Sequence, residues 1–126
     1  MIKNLTLAII AFLLLGCSNV SNTKPQFANT TNKKIKIYYV HRDGCPACSY
    51  MDSVLKNQEI KTIINRDFKL ITVDYREQSS KLPKKSMITF KTPTLYFLDS
   101  NNKEVSKPVH ALSVEDFKKK LKSIST

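Results

Sequence analysis

Cys45 and Cys48 stand three positions apart in "GCPACSYM", residues 44–51, just after an apolar run and just ahead of a helical pattern. Two sulfurs at this spacing can hold a metal, staple a loop or exchange electrons. A structural zinc site takes four ligands, usually two such pairs or one pair with two suitably spaced histidines. His41 and His110 are the only histidines, and His110 lies near the far end of the chain, so no metal site is expected. A purely structural disulfide is a poor use of the pair as well. Closing so short a loop removes only about 2 kcal/mol of unfolded-state freedom on the chain-entropy formula, against about 5 for a loop of roughly 100 residues. Redox exchange, by contrast, needs this spacing. A cysteine at the start of a helix presents its sulfur to unsatisfied N–H groups and to the positive end of the dipole, which favour the thiolate. A second cysteine one turn on lies on the same side and can attack a mixed disulfide formed at the first. An ordinary thiol of pKa about 8.5 is about 3% ionised at pH 7, and lowering it to about 6.5 makes it roughly 75% ionised. Cys45 is therefore the expected nucleophile and Cys48 the resolving thiol, with Pro46 and Ala47 forming the loop between them.

The elements that must position this pair follow from pattern. "IKIYYV", from Ile35 to Val40, is β-branched and aromatic without alternation, which predicts a central strand covered on both faces. Pro46 suits the first helical position, where its missing N–H costs nothing. Tyr50, Met51, Val54 and Leu55 continue at helical spacing, and Ile60, Ile63 and Ile64 predict a second helical stretch. "FKLITVD" predicts another strand, and "REQSSKLPKKSMITFK" a loop with a short helix. "TPTLYFLDSNNKEV" reads as two strands joined by a turn at Ser100–Asn102, a hairpin. "SVEDFKKKLKSI" predicts a closing helix with Ser113 as N-cap, Asp116 near the positive end of the dipole, and Phe117, Leu121 and Ile124 on the buried face.

The first cysteine belongs to a different part of the chain. "MIKNLTLAIIAFLLLGC" has Lys3, an apolar stretch from Leu5 to Leu15, and Gly16 just before Cys17. The stretch is far shorter than the roughly 20 residues of a membrane-spanning helix, so it predicts an export signal. "Leu14-Leu15-Gly16-Cys17" resembles the bacterial lipobox, which implies cleavage before Cys17 and lipidation of its sulfur. The expected division is a signal peptide at 1–16, a lipidated cysteine and flexible tether at 17–34, and one folded domain at 35–126. Ser18 to Lys34 is rich in Asn, Ser, Thr and Lys, as a tether would be. The expected location is the bacterial cell envelope, lipid-anchored and facing the periplasm or the outer surface.

With 126 residues, 41% hydrophobic and 9% aromatic, the chain suffices for one compact core. The formal charge of +11 comes from lysines spread along the sequence, and no basic run is interleaved with aromatics that could stack bases, so no nucleic-acid partner is expected.

Taken together, "YYVHRDGCPACSYM" followed by "TPTLYFLDSNNKEV" resembles the thioredoxin-like superfamily: a central strand, a Cys-x-x-Cys helix, then a Thr-Pro dipeptide opening the next strand. The resemblance covers about Ile35 to Ile124. It implies an α/β three-layer sandwich, with a mixed central sheet of about four strands flanked by helices. It implies that Thr92-Pro93 is a cis peptide beside the active-site sulfurs and shapes a substrate groove. It implies a thiol-disulfide oxidoreductase that needs no cofactor, acts on protein thiols and disulfides, draws electrons from a membrane thiol reductase, and is a monomer. Thioredoxin itself has Trp before the first cysteine, Gly-Pro between the two, and a buried acid six residues before the first. Here those places hold Gly44, Pro46-Ala47 and Tyr39, so the residue that accepts a proton from Cys48 is unassigned, and Tyr39 is expected in the core. Asp43 would oppose a thiolate at Cys45. Ala47 offers no donor to hold that thiolate, which places the potential between about −270 mV for thioredoxin and about −180 mV for protein disulfide isomerase, so a reductant or isomerase is expected. Two rival readings stay open. One is a chaperone holding Cu(I), a metal suited to sulfur, on the same two thiolates, and the other is a non-catalytic envelope adaptor with the same fold.

Overall fold

A computed structural model describes residues 34–125. The predicted signal peptide, Cys17 and the tether as far as residue 33 lie outside the described residues. Strand β1, Ile35–His41, leads into helix α1, Pro46–Lys56, and helix α2, Gln58–Asp67. Strand β2, Phe68–Asp74, is followed by a 3-10 turn, Tyr75–Glu77, the short helix α3, Gln78–Lys81, and a second 3-10 turn, Lys85–Met87. Strands β3, Thr94–Leu98, and β4, Glu104–Val109, form the predicted hairpin, and α4, Val114–Ser125, closes the domain.

The sheet is mixed, in the order β2-β1-β3-β4: β1 runs parallel to β2 and antiparallel to β3, and β3 runs antiparallel to β4. The continuous apolar runs of β1 and β3 are explained by these inner places, where both faces of the strand are covered. On one face Ile37, Tyr39, Leu95 and Phe97 meet Met51 and Val54 of α1, Ile60, Ile63 and Ile64 of α2, and Phe117 and Leu121 of α4. Each fully buried side chain of this kind stabilises the fold by about 1.5–3 kcal/mol. On the other face Tyr38, Val40, Val73, Tyr96 and Leu98 are covered by Leu82 and Met87. That second layer is thin, one four-residue helix and two 3-10 turns. Gln78 secures it, being buried yet fully used: its amide donates to the carbonyls of Tyr75 and Thr89, and its Oε1 accepts from the Thr89 N–H.

Local chemistry explains where the helices begin and end. Asn57 has an extended ψ of 136°, which stops α1, and its Oδ1 accepts from the N–H groups of Glu59 and Ile60, which starts α2. Ser113 caps α4 by accepting from the Asp116 N–H at 3.2 Å, as predicted. In the hairpin turn Asn102 takes φ +61°, a left-handed conformation that asparagine tolerates. The Asp99 carboxylate accepts from the Asn101 and Lys103 N–H groups beside it.

Candidate active site

Strand β1 delivers the chain to the site and α1 holds the sulfurs. Gly44 turns the backbone with φ +72°, a conformation open to glycine at no steric cost. Cys45 is then the N-cap of α1 and Pro46 its first residue, so the helix starts where the proline predicts. The Cys45 sulfur takes the capping role usually filled by a hydroxyl or carboxylate, accepting from the Cys48 N–H at 3.2 Å. Of the two thiols Cys45 is the more accessible, 9% exposed against 2% for Cys48.

The segment before β3 closes on the same sulfur from 47 residues away. The Thr92 hydroxyl lies 3.6 Å from Cys45 Sγ and can donate to it, and the Thr92 carbonyl lies 3.5 Å from it and can accept from the thiol. The Thr92-Pro93 peptide is cis, as the resemblance implied. Pro93 is buried, and with Thr92 and Ala47 it lines an open groove of about 450 Å3 beside the sulfur.

These contacts separate the two thiols electrostatically. Hydrogen bonding from the Cys48 thiol pulls the Cys45 pKa below that of an ordinary cysteine, and the Thr92 hydroxyl, the Cys48 N–H and the Arg42 guanidinium act in the same direction against a smaller opposing effect of burial. Burial pushes Cys48 the other way, and its hydrogen bond to Cys45 adds to the rise. The Cys45 thiolate is therefore favoured over that of Cys48, which is the order that attack followed by resolution requires. The charge that reaches Cys45 is the cation of Arg42. Asp43, expected to oppose the thiolate, is exposed and lies 3.7 Å from Arg76.

Four residues that sequence reasoning left without a part in the chemistry lie near the site. Tyr39 is core, 2% exposed, and also polar: its hydroxyl donates to Asp52 Oδ1 at 2.8 Å and lies 3.2 Å from the Cys48 carbonyl. Burial, then the Asp52 hydrogen bond, raise its pKa far above that of an ordinary phenol, so the proton stays on the oxygen. Asp52 lies one helical turn beyond Cys48, a spacing visible in the sequence, but only the β1–α1 packing pairs it with Tyr39. His110 arrives at the groove from beyond β4, its Nδ1 3.0 Å from the Pro93 carbonyl. A carbonyl only accepts, so Nδ1 carries the proton of this hydrogen bond. His41 stacks on Tyr39, ring centroids 5.5 Å apart. Among the described residues no three His, Cys, Asp or Glu side chains gather as a metal site.

The arrangement defines the class of fold: a Cys-x-x-Cys helix packed on a mixed sheet, with a cis-proline strand opening beside it, is a thioredoxin-like fold. No protein-family model matches the chain, and no curated protein matches it. Solved structures do. A thioredoxin from Thermus thermophilus superposes with a TM-score of 0.62 at 20% identity, over 75% of each chain. A disulphide isomerase from Xylella fastidiosa gives 0.63 at 16% identity, over 76% of this chain and 82% of that one. DsbH oxidoreductase gives 0.65 at 19% identity, over 75% and 74%. At these identities the likeness establishes the fold.

Proposed function

We propose that this chain is a thiol-disulfide oxidoreductase of the bacterial cell envelope, anchored by lipid at Cys17 and exchanging electrons with protein thiols. The observation that carries the chemistry is the convergence of the Cys48 N–H and the Thr92 hydroxyl on Cys45 Sγ. In the reducing direction the Cys45 thiolate attacks one sulfur of a substrate disulfide. That S–S bond breaks, a mixed disulfide forms at Cys45, and the other substrate sulfur leaves as a thiolate. Cys48 then gives up its proton and attacks Cys45 Sγ, forming the Cys45–Cys48 disulfide and releasing the second substrate sulfur as a thiolate. Two electrons pass to the substrate, and the proton from Cys48 is available to a leaving thiolate. Pro93 shapes the groove in which the substrate lies, Ala47 lines it beside the sulfur, and Pro46 starts the helix that carries both cysteines. The fold shared with thioredoxin and disulphide isomerase supports this reading.

The lipobox-like Leu14-Leu15-Gly16-Cys17 supports the anchor and the envelope location. Ala47, which has no donor to add to the helix terminus, favours a reductant or isomerase whose oxidised form is renewed by a membrane thiol reductase. The test is turnover of insulin disulfides by the full-length protein. Cys45→Ser is expected to fall to the uncatalysed rate, and Cys48→Ser to accumulate the mixed disulfide instead of completing the cycle. Full activity in Cys45→Ser removes the assignment. Stoichiometric copper binding by the reduced protein without disulfide turnover replaces it with the copper-chaperone reading.

A further inference from the structure

The groove beside Cys45 carries more positive charge than the stabilisation of its thiolate by Arg42 accounts for. Arg42 lines it from the β1–α1 loop, and Phe90 and Lys91 from the segment just before Thr92-Pro93. Both charged side chains in its lining are cations, and it has no carboxylate of its own. Asp43, the nearest acid in sequence, is drawn toward Arg76. Arg42 is held over the Tyr75 ring, 5.4 Å from its centroid, which steadies the guanidinium without neutralising it. Phe90 is 87% exposed. Single exposed apolar side chains are common and carry no meaning alone, but this one stands on the rim of a ligand-sized cleft next to the reacting sulfur. Aromatic and arginine side chains in such places are the usual anchors of polypeptide partners.

We propose that this groove selects acidic polypeptide segments: a substrate disulfide whose cysteine is flanked by carboxylates, which meet Arg42 and Lys91, and by an apolar side chain, which covers Phe90. This names a substrate class for the oxidoreductase reading and rests on it. An extended polypeptide fits better than a membrane surface, because Cys45 is only 9% exposed beside a concave groove whose lining includes both cations, and a chain lying in that groove reaches the sulfur where a flat bilayer does not.

The test compares two symmetric peptide disulfides, one with Asp on both sides of each Cys and one with Lys, in single turnover with the pre-reduced full-length protein. Each rate is divided by the rate of the same peptide with dithiothreitol, a neutral reductant, so that intrinsic disulfide reactivity cancels. The normalised preference for the acidic peptide is expected to be at least about tenfold at low salt and to approach unity near 0.5 M salt, where the screening length drops to a few Å. Arg42→Glu with Lys91→Glu should invert the preference. Because it is a ratio on one protein, altered thiol reactivity does not mimic the result. Lys61→Glu with Lys119→Glu, an equal change of net charge on α2 and α4, should leave the sign intact. Phe90→Ser should slow an acidic peptide carrying Leu beside Cys more than one carrying Ser there. Equal normalised rates at low salt, or inversion by the α2/α4 control, overturn the proposal while leaving the enzyme reading in place. So does a groove double variant that loses binding to phosphatidylglycerol vesicles but keeps its peptide preference. Failure to reduce either peptide or the neutral 2-hydroxyethyl disulfide overturns both.

Discussion

Tyr39 shows how one residue can serve packing and polarity together. Its ring fills the core between β1 and the helices, and its hydroxyl joins Asp52 to the backbone of Cys48. Tyr39→Phe keeps the ring and deletes the donor, leaving a half-buried carboxylate and a helix carbonyl without it. The loss is expected to cost about 1–3 kcal/mol, seen as a lower denaturant midpoint with an unchanged slope. An unchanged midpoint would mean that water replaces the phenol fully. Position 39 could be assigned to the core from the sequence, because Lys36 is the only charged residue in the run "IKIYYV" and Ile37 to Val40 follow it as an unbroken β-branched and aromatic stretch. Its partner was illegible, since nothing local distinguishes Asp52 from any exposed helical acid.

At the scale of elements, the end of β2 is clasped to the loop between β1 and α1. Asp74 accepts from the Arg76 N–H and side chain, and Arg76 reaches Asp43 just before the cysteine helix. The Arg76 side-chain hydrogen bond, helped by its backbone N–H, lowers the Asp74 pKa to about 2. The folded value lies below the unfolded value of about 3.9, so this stabilisation is present above about pH 4 and is lost as pH falls through about 2. Asp74→Asn should therefore narrow the stability difference between pH 5 and pH 2, measured by urea unfolding at each pH. An identical pH dependence in wild type and variant would show that the clasp contributes nothing. The elements themselves were largely legible: both strands of the hairpin, the helix start at Pro46 and the Ser113 cap follow from residues within a turn of one another. The thin second layer over Tyr38, Val40 and Tyr96 was not, because its short helix and 3-10 turns have no periodicity of their own and take shape against the sheet.

At the scale of the whole molecule, the proposed anchor makes a separate prediction. Wild-type protein expressed in bacteria should incorporate labelled palmitate and sediment with membranes, and Cys17→Ala should lose both. Membrane retention of the variant would transfer the anchoring role to the basic surface, which carries much of the +11 formal charge, and salt would then release it. By itself the sequence determined what depends on near neighbours: the pair Cys45 and Cys48 on one side of a helix whose first residue is Pro46, the covered central strand, the closing amphipathic helix, and, through its resemblance to a known superfamily, the cis bond at Pro93. Only the tertiary structure decided what those sulfurs face. Thr92 meets Cys45 across 47 residues, His110 meets the Pro93 carbonyl across 17, and Arg42, Phe90 and Lys91 come to share one groove. Capping, periodicity and proline geometry act over a turn or two of chain. These encounters depend instead on the parallel β1–β2 and antiparallel β1–β3 registers that bring distant segments side by side.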